Sequence, residues 1–271
     1  MFAKMEDGGS APVLRPWSGD GSEPFSLGMN LLAPFSNRIS GGGFVFDGIF
    51  HELPANLEGE PFPIHGDAFQ KAWCVDDHGP AFARLSLTDA GLGPFRYSAE
   101  VSYALEDGRL HTALALANEG PTLPFGGGLH PWFPRRQDTE LEFFARQVWL
   151  EDAQHLPVRK VPLEDVPAWD FTASRLLPEG WINNAFCDWS GNARIVQQGF
   201  GIEVDIVAHA PLDTAIVYSP GAHADFFCFE PVSHAVDALN QPGMPGLVTL
   251  APGERVSFSV SIGWRNAPSP A

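Results

Sequence analysis

The chain has 271 residues, with 33 acidic and 16 basic side chains and a formal charge of −17 at neutral pH. That length can bury a large core, and with no basic run to track phosphates, nucleic acid and acidic membranes are poor partners for it. No segment has the length and apolarity of a membrane span, and Met1 to Asp7 lack an apolar run followed by a small-residue cleavage site, so a soluble, cytoplasmic protein is expected.

The 28 glycines and 25 prolines are scattered between apolar segments, the texture of many short strands joined by turns. In chain order, the first residues to about 22, rich in Gly, Ser and Pro, are expected to be loosely held. A fully buried strand is expected over Phe44 to Phe50. Period-two alternation then marks Tyr97 to Leu105, Leu110 to Leu116 and Ile202 to Ile206. Asp225 to Phe229 forms a second candidate buried strand. The clearest strand is Arg255 to Trp264, where Val256, Phe258, Val260, Ile262 and Trp264 point one way and three serines the other. Residues 266–271 read as a loose end. Helical periodicity is nearly absent, so the expectation is an all-β sandwich forming one domain over residues 1–271. Cys74, Cys187 and Cys228 are far apart and odd in number, which indicates neither a disulfide framework nor a zinc ribbon.

Four places set polar residues in aromatic or glycine-rich surroundings. Asn37 and Arg38 follow Phe35 and precede a glycine run, and their donors suit a polyhydroxylated ligand. His65 lies beside Gly66, which would let backbone approach a ligand, and Trp73 follows with a flat face on which sugar C–H groups stack. In Phe125-Gly-Gly-Gly-Leu-His130-Pro-Trp-Phe133 an imidazole is set between glycines and aromatics; the glycines match neither a phosphate loop nor a dinucleotide fingerprint. In Phe226-Phe-Cys-Phe-Glu230 a carboxylate closes a buried strand, where desolvation raises its proton affinity toward that of a useful general base. Each residue alone also has a plain structural explanation: a turn Asn, a core His, a paired Glu.

Taken in order, Pro34 to Ile39, His65-Gly66 with Trp73, Gly128 to Phe133, Tyr218-Ser-Pro220 and Phe227 to Pro231 resemble the aldose 1-epimerase (galactose mutarotase-like) family over most of the chain. The resemblance implies a large antiparallel supersandwich with a sugar cleft on one face and an isomerase of carbohydrate metabolism, a mutarotase. It implies Glu230 as general base, His130 as general acid, and Arg38 and His65 as substrate-positioning groups assisted by Asn37. Asn183 stands where the family commonly has an aspartate that binds a sugar hydroxyl, which bears on sugar preference. Such a reaction needs no metal and no redox cofactor, and the partner is a small sugar, bound by a monomer or homodimer. Arg135 and Arg136 keep open a hexose-phosphate epimerase on the same fold. A non-catalytic carbohydrate-binding protein, and a metal-binding barrel using His209, His223 and His234, are also compatible with parts of the sequence.

Overall fold

The computed structural model describes residues 1–5, 8–17 and 23–267. These form strands and six single-turn 3-10 helices, with no α-helix among the described residues. Two antiparallel sheets carry the fold. The larger has nine strands, in the order Arg175–Leu176, Thr139–Phe143, Asn192–Gln197, Ile202–Ala208, Arg255–Asn266, Arg109–Asn118, Tyr97–Glu106, Phe82–Ala90 and Cys74–Gly79. The other has seven: Pro157–Pro162, Gln147–Glu151, Ile182–Cys187, Thr214–Ser219, Phe226–Val232, Gly128–Pro134 and Met29–Leu32.

The alternating segments of the sequence all fall in the nine-stranded sheet. Tyr97, Ala99, Val101, Leu114, Leu116, Phe258, Val260 and Ile262 are buried from one face, while Leu105, at the end of its strand, is half exposed. The strands Gly128–Pro134 and Phe226–Val232 are instead buried along nearly their whole length, because both faces of the seven-stranded sheet are covered there. Since successive side chains point to opposite faces, Phe227 and Phe229 enter the core shared with the larger sheet, and Cys228 and Glu230 turn to the outer face. Phe143 of the nine-stranded sheet ties the layers together, with ring centroids 5.0 Å from Phe186 and 5.2 Å from Phe229 in edge-to-face contacts. On the outer face a smaller apolar cluster of Leu32, Ala185, Ile216 and Val232 forms beside the polar side chains.

Two expectations are corrected. Residues 44–50 are not one buried strand but a hairpin of Gly43–Phe46 and Ile49–Glu52. Asp47 and Gly48 both take positive φ, 50° and 75°, the turn that an Asp-Gly pair favours; Phe44 is buried, whereas Val45, Ile49 and Phe50 are exposed. The N-terminal residues are likewise held: Phe2–Lys4 pairs with Ser10–Pro12, and Ala3, Ala11, Val13 and Leu14 join the main core. Of the two expected loose ends, residues 6–7, 18–22 and 268–271 lie outside the described residues, and Asn266 is held as the last residue of the strand Arg255–Asn266, paired with Ile202.

Because Phe143 bridges the layers, Phe143→Ala is expected to cost about 3–5 kcal/mol. Urea unfolding measures this, and a loss below about 1 kcal/mol would show that the sheets do not depend on that contact.

Candidate active site

Register puts the chemical groups together. Gly128 pairs with Val232 and Trp132 with Cys228, so His130 falls opposite Glu230, midway between them. Asn183 pairs with Tyr218, and Tyr218 with Cys228. Asn183, Tyr218, Cys228 and Trp132 therefore form one row across four strands, a single row away from the His130–Glu230 pair, all on the outer face. A Cβ at Gly128 would stand 2.3 Å from the Pro231 carbonyl oxygen, so glycine is required for these two strands to approach. Above the rows lies a cleft of about 300 Å³, closed at its other side by Phe25, Asn37, Arg38, Glu60 and His65 from loops.

His130 and Glu230 are 5% and 2% exposed, with Nε2 and Oε1 3.4 Å apart. Burial penalises the charged form of each. It pushes Glu230 up to about 8, against a smaller opposing pull from Arg38. It lowers His130 to about 3, with the Arg15 charge adding to the effect. The pair thus holds one proton over a wide range around neutrality, and that proton belongs to both groups. Glu230 Oε2 and His130 Nδ1 have no hydrogen-bond partner among the described residues. A purely structural pair would satisfy such buried atoms.

The surrounding loops hold the pair's neighbours in fixed states. His65 accepts the Asn37 N–H at Nδ1 (3.0 Å), which leaves the proton of the neutral ring on Nε2, and burial keeps its pKa well below the usual value. Asn37 and His65 both adopt left-handed backbone, φ 59° and 61°. Gly66 follows with φ 66°, and a Cβ there would lie 1.9 Å from the Ala33 carbonyl oxygen. The Gly66 backbone thus closes against the chain itself, where the sequence suggested closeness to a ligand. Asn37 Oδ1 accepts the Arg38 N–H at 2.9 Å. Arg38 is clamped by Glu60, Nε to Oε2 at 2.9 Å and Nη2 to Oε1 at 2.7 Å. His234 accepts the Ser36 N–H at Nε2 and bonds the Ala235 carbonyl through Nδ1, a buried structural histidine that supports this loop from behind.

Of the residues singled out in the sequence, His130, Glu230, Asn37, Arg38, His65 and Asn183 come together around the cleft. Trp73 does not: its indole N–H donates to the Ala68 carbonyl, and it borders a separate hollow beside Met29 and Phe69. The flat surfaces come instead from Trp132, stacked on His130 at 4.8 Å and 12°, and from Phe25, Trp181 and Tyr218. Arg135 is buried elsewhere, bonded to Ser219 Oγ and the Pro178 carbonyl. Arg136 pairs with Asp138 and lies over Phe200. Among the described residues no three His, Cys, Asp or Glu side chains assemble as a metal-binding group, so His209, His223 and His234 do not converge.

Several contributors had no visible signal in the sequence. Arg15 places its guanidinium 4.1 Å from the centroid of the Trp132 ring, on which His130 also stacks, and donates to the Phe25 carbonyl. Glu60, Glu151, His155 and Trp181 belong to other loops and strand ends. Only their tertiary partners reveal them.

Comparison with known proteins matches residues 22–263 to the aldose 1-epimerase family. The chain is 34% identical over 264 residues to the uncharacterized protein YphB of Escherichia coli K12, covering 93% of this chain and 89% of YphB. A solved structure from Escherichia coli K12, described as a candidate aldose 1-epimerase, aligns with a TM-score of 0.87 and 32% identity over 94% of this chain and 89% of that one. The GalM/aldose epimerase homologue of C. elegans aligns with a TM-score of 0.82 over 98% and 92% of the two chains; at 16% identity this is a likeness of fold.

The shifted pair should leave its mark on stability. The folded protein keeps a proton on Glu230 that the unfolded chain releases between about pH 4.5 and about pH 8, so stability falls as pH rises through that window. The unfolded chain takes up a proton on His130 between about pH 6.5 and about pH 3 that the folded one refuses, so stability also falls as pH drops. His65 and His234, lowered by the same burial, add to the acid limb. In urea unfolding over this range, Glu230→Gln is expected to flatten the alkaline limb and His130→Asn to make the acid limb shallower. A Glu230→Gln curve parallel to the parent's up to about pH 8 would contradict the assignment.

Proposed function

We propose that this chain, which belongs to the aldose 1-epimerase family, is a mutarotase that interconverts the α and β anomers of a free aldose by general acid–base ring opening. The observation that carries this is the His130–Glu230 pair, buried, 3.4 Å apart, with one polar atom on each side chain lacking a partner, at the floor of a cleft with aromatic walls.

The reaction requires one proton to leave the anomeric hydroxyl and another to reach the ring oxygen. Glu230, as carboxylate, takes the hydroxyl proton while the C1–O5 bond breaks, its electron pair passing to O5. His130, as imidazolium, protonates O5. The product is the open-chain aldehyde; rotation about C1–C2 presents its other face, and closure runs the same transfers in reverse. The resting pair already contains the one proton this needs, so carboxylate plus imidazolium differs from it only by where that proton sits. His65 Nε2–H and the amide of Asn37 supply donors for ring hydroxyls, and Trp132 and Phe25 provide surface for the apolar ring face.

A phosphate-specific epimerase draws no comparable support. It would need an available cationic cluster, whereas Arg135 and Arg136 lie outside the cleft and Arg38 is engaged by Glu60. A binding-only protein would have no use for two desolvated, complementary proton carriers.

Polarimetry on a panel of aldoses is expected to show catalysed mutarotation, lowered by roughly 10²–10⁴-fold in Glu230→Gln and in His130→Asn with circular dichroism unchanged. Full activity in either variant would overturn the assignment. The rate should also fall as pH climbs through about 8, where the pair loses its shared proton.

A further inference from the structure

Three cleft-lining side chains converge on a carboxylate that stands behind them. Glu151 Oε1 accepts the Trp181 indole N–H at 2.8 Å; Oε2 accepts the Asn183 amide at 2.9 Å and contacts His155 Nδ1 at 3.1 Å. Glu151 closes the strand Gln147–Glu151, and its pairing with Pro157–Pro162 is irregular between Leu150 and Glu151. The extra residue, Val158, lies on the partner strand, so the ladder slips by one position where it reaches Glu151. His155 is held by the connecting turn, in which Asp152 Oδ1 accepts the N–H groups of Gln154 and Leu156 at 2.8 and 3.0 Å.

The chemistry of the hub dictates what the wall can offer. A carboxylate has acceptors only. The amide nitrogen of Asn183 must therefore turn toward Glu151, which leaves Oδ1, an acceptor, for the cleft. The Trp181 N–H is spent, so its ring contributes faces and edges: His155 stacks on it at 5.1 Å and 28°, and Tyr218 meets it edge-on at 5.2 Å. The Nδ1 position of His155 is spent as well. Asn183 and Glu230 stand two strands and one row apart, about 12 Å between backbones from ordinary sheet spacings. A ring with its anomeric carbon at the His130–Glu230 pair would therefore present its remote end to this wall.

We propose that Glu151 is a positioning residue that sets substrate selection at this remote end, by making Asn183 a hydrogen-bond acceptor for a sugar hydroxyl and by fixing the Trp181–His155 ledge beside it. The inference rests on the mutarotase reading above for its kinetic form. A hydroxyl donates to Asn183 Oδ1 and its C–H neighbours lie on the ledge. A carboxylate at the same place would meet an acceptor and the Glu151 charge, with Arg38 already occupied by Glu60.

The test compares a neutral aldohexose with the matching hexuronate in the full-length chain. The parent is expected to favour the neutral sugar at least tenfold in kcat/KM. Glu151→Gln should raise KM for the neutral sugar several-fold, change kcat less than twofold, and narrow the discrimination about tenfold. Asn183→Asp sets two carboxylates against each other and should raise KM further; combining it with Glu151→Gln should restore binding, because the introduced glutamine amide then donates to the new carboxylate. Unchanged KM and discrimination in Glu151→Gln, or no rescue in the double variant, would overturn the proposal. If the parent catalyses no mutarotation at all, the functional reading falls alone, and tryptophan-fluorescence titration with the same two sugars decides this one. Neutral-sugar preference that narrows in Glu151→Gln supports it, and equal affinities refute it.

Discussion

Glu230 occupies an outward position of a strand whose inward neighbours, Phe227 and Phe229, are locked in the core, so its carboxyl cannot leave the sheet surface without unseating them. Across the register stands His130, equally buried. Neither group can carry its charge cheaply there, and together they retain a single proton. This desolvated pair is the constraint that organises the molecule. The glycine at 128 lets the two strands approach, and Trp132 stacks on the imidazole while the Arg15 guanidinium lies over the indole.

Around the pair, most contacts are made behind the cleft. His234 holds the backbone at Ser36, Asn37 carries both His65 and the Arg38 N–H, and Glu60 clamps the Arg38 guanidinium. Opposite them Glu151 gathers Trp181, Asn183 and His155. Two carboxylates thus fix the two walls, each spending its acceptors on side chains that line the cleft. Holding donors and acceptors in place in this way removes orientational freedom before any ligand arrives, the preorganisation on which positional catalysis depends.

The strands with strict alternation, Tyr97 to Leu105 and Arg255 to Trp264, were legible because one face of the nine-stranded sheet packs on the core and the pattern of two survives in the sequence. Where both faces are covered, as in Gly128–Pro134, the pattern disappears and only the glycines, prolines and aromatics remain as clues. The hairpin at Gly43–Glu52 was concealed by its apolar residues, although Asp47-Gly48 marked the turn. The N-terminal residues looked loose by composition, yet small side chains such as Ala3 and Ala11 fit under the larger ones of the core. Trp73 was the natural candidate for a sugar platform by proximity in sequence to His65, and it is Trp132 and Trp181 that line the cleft.

An all-β architecture, the aldose 1-epimerase family and the six residues from Asn37 to Glu230 that meet at the cleft could be read from the chain alone, because hydrophobic period and local motif are properties of neighbouring residues. The pairing of His130 with Glu230, the single proton they share, the neutral tautomer of His65 and the turning of Asn183 toward Glu151 could not. Each depends on groups tens of residues or more away, brought within hydrogen-bonding or desolvating distance only by strand register and the closure of one sheet on the other.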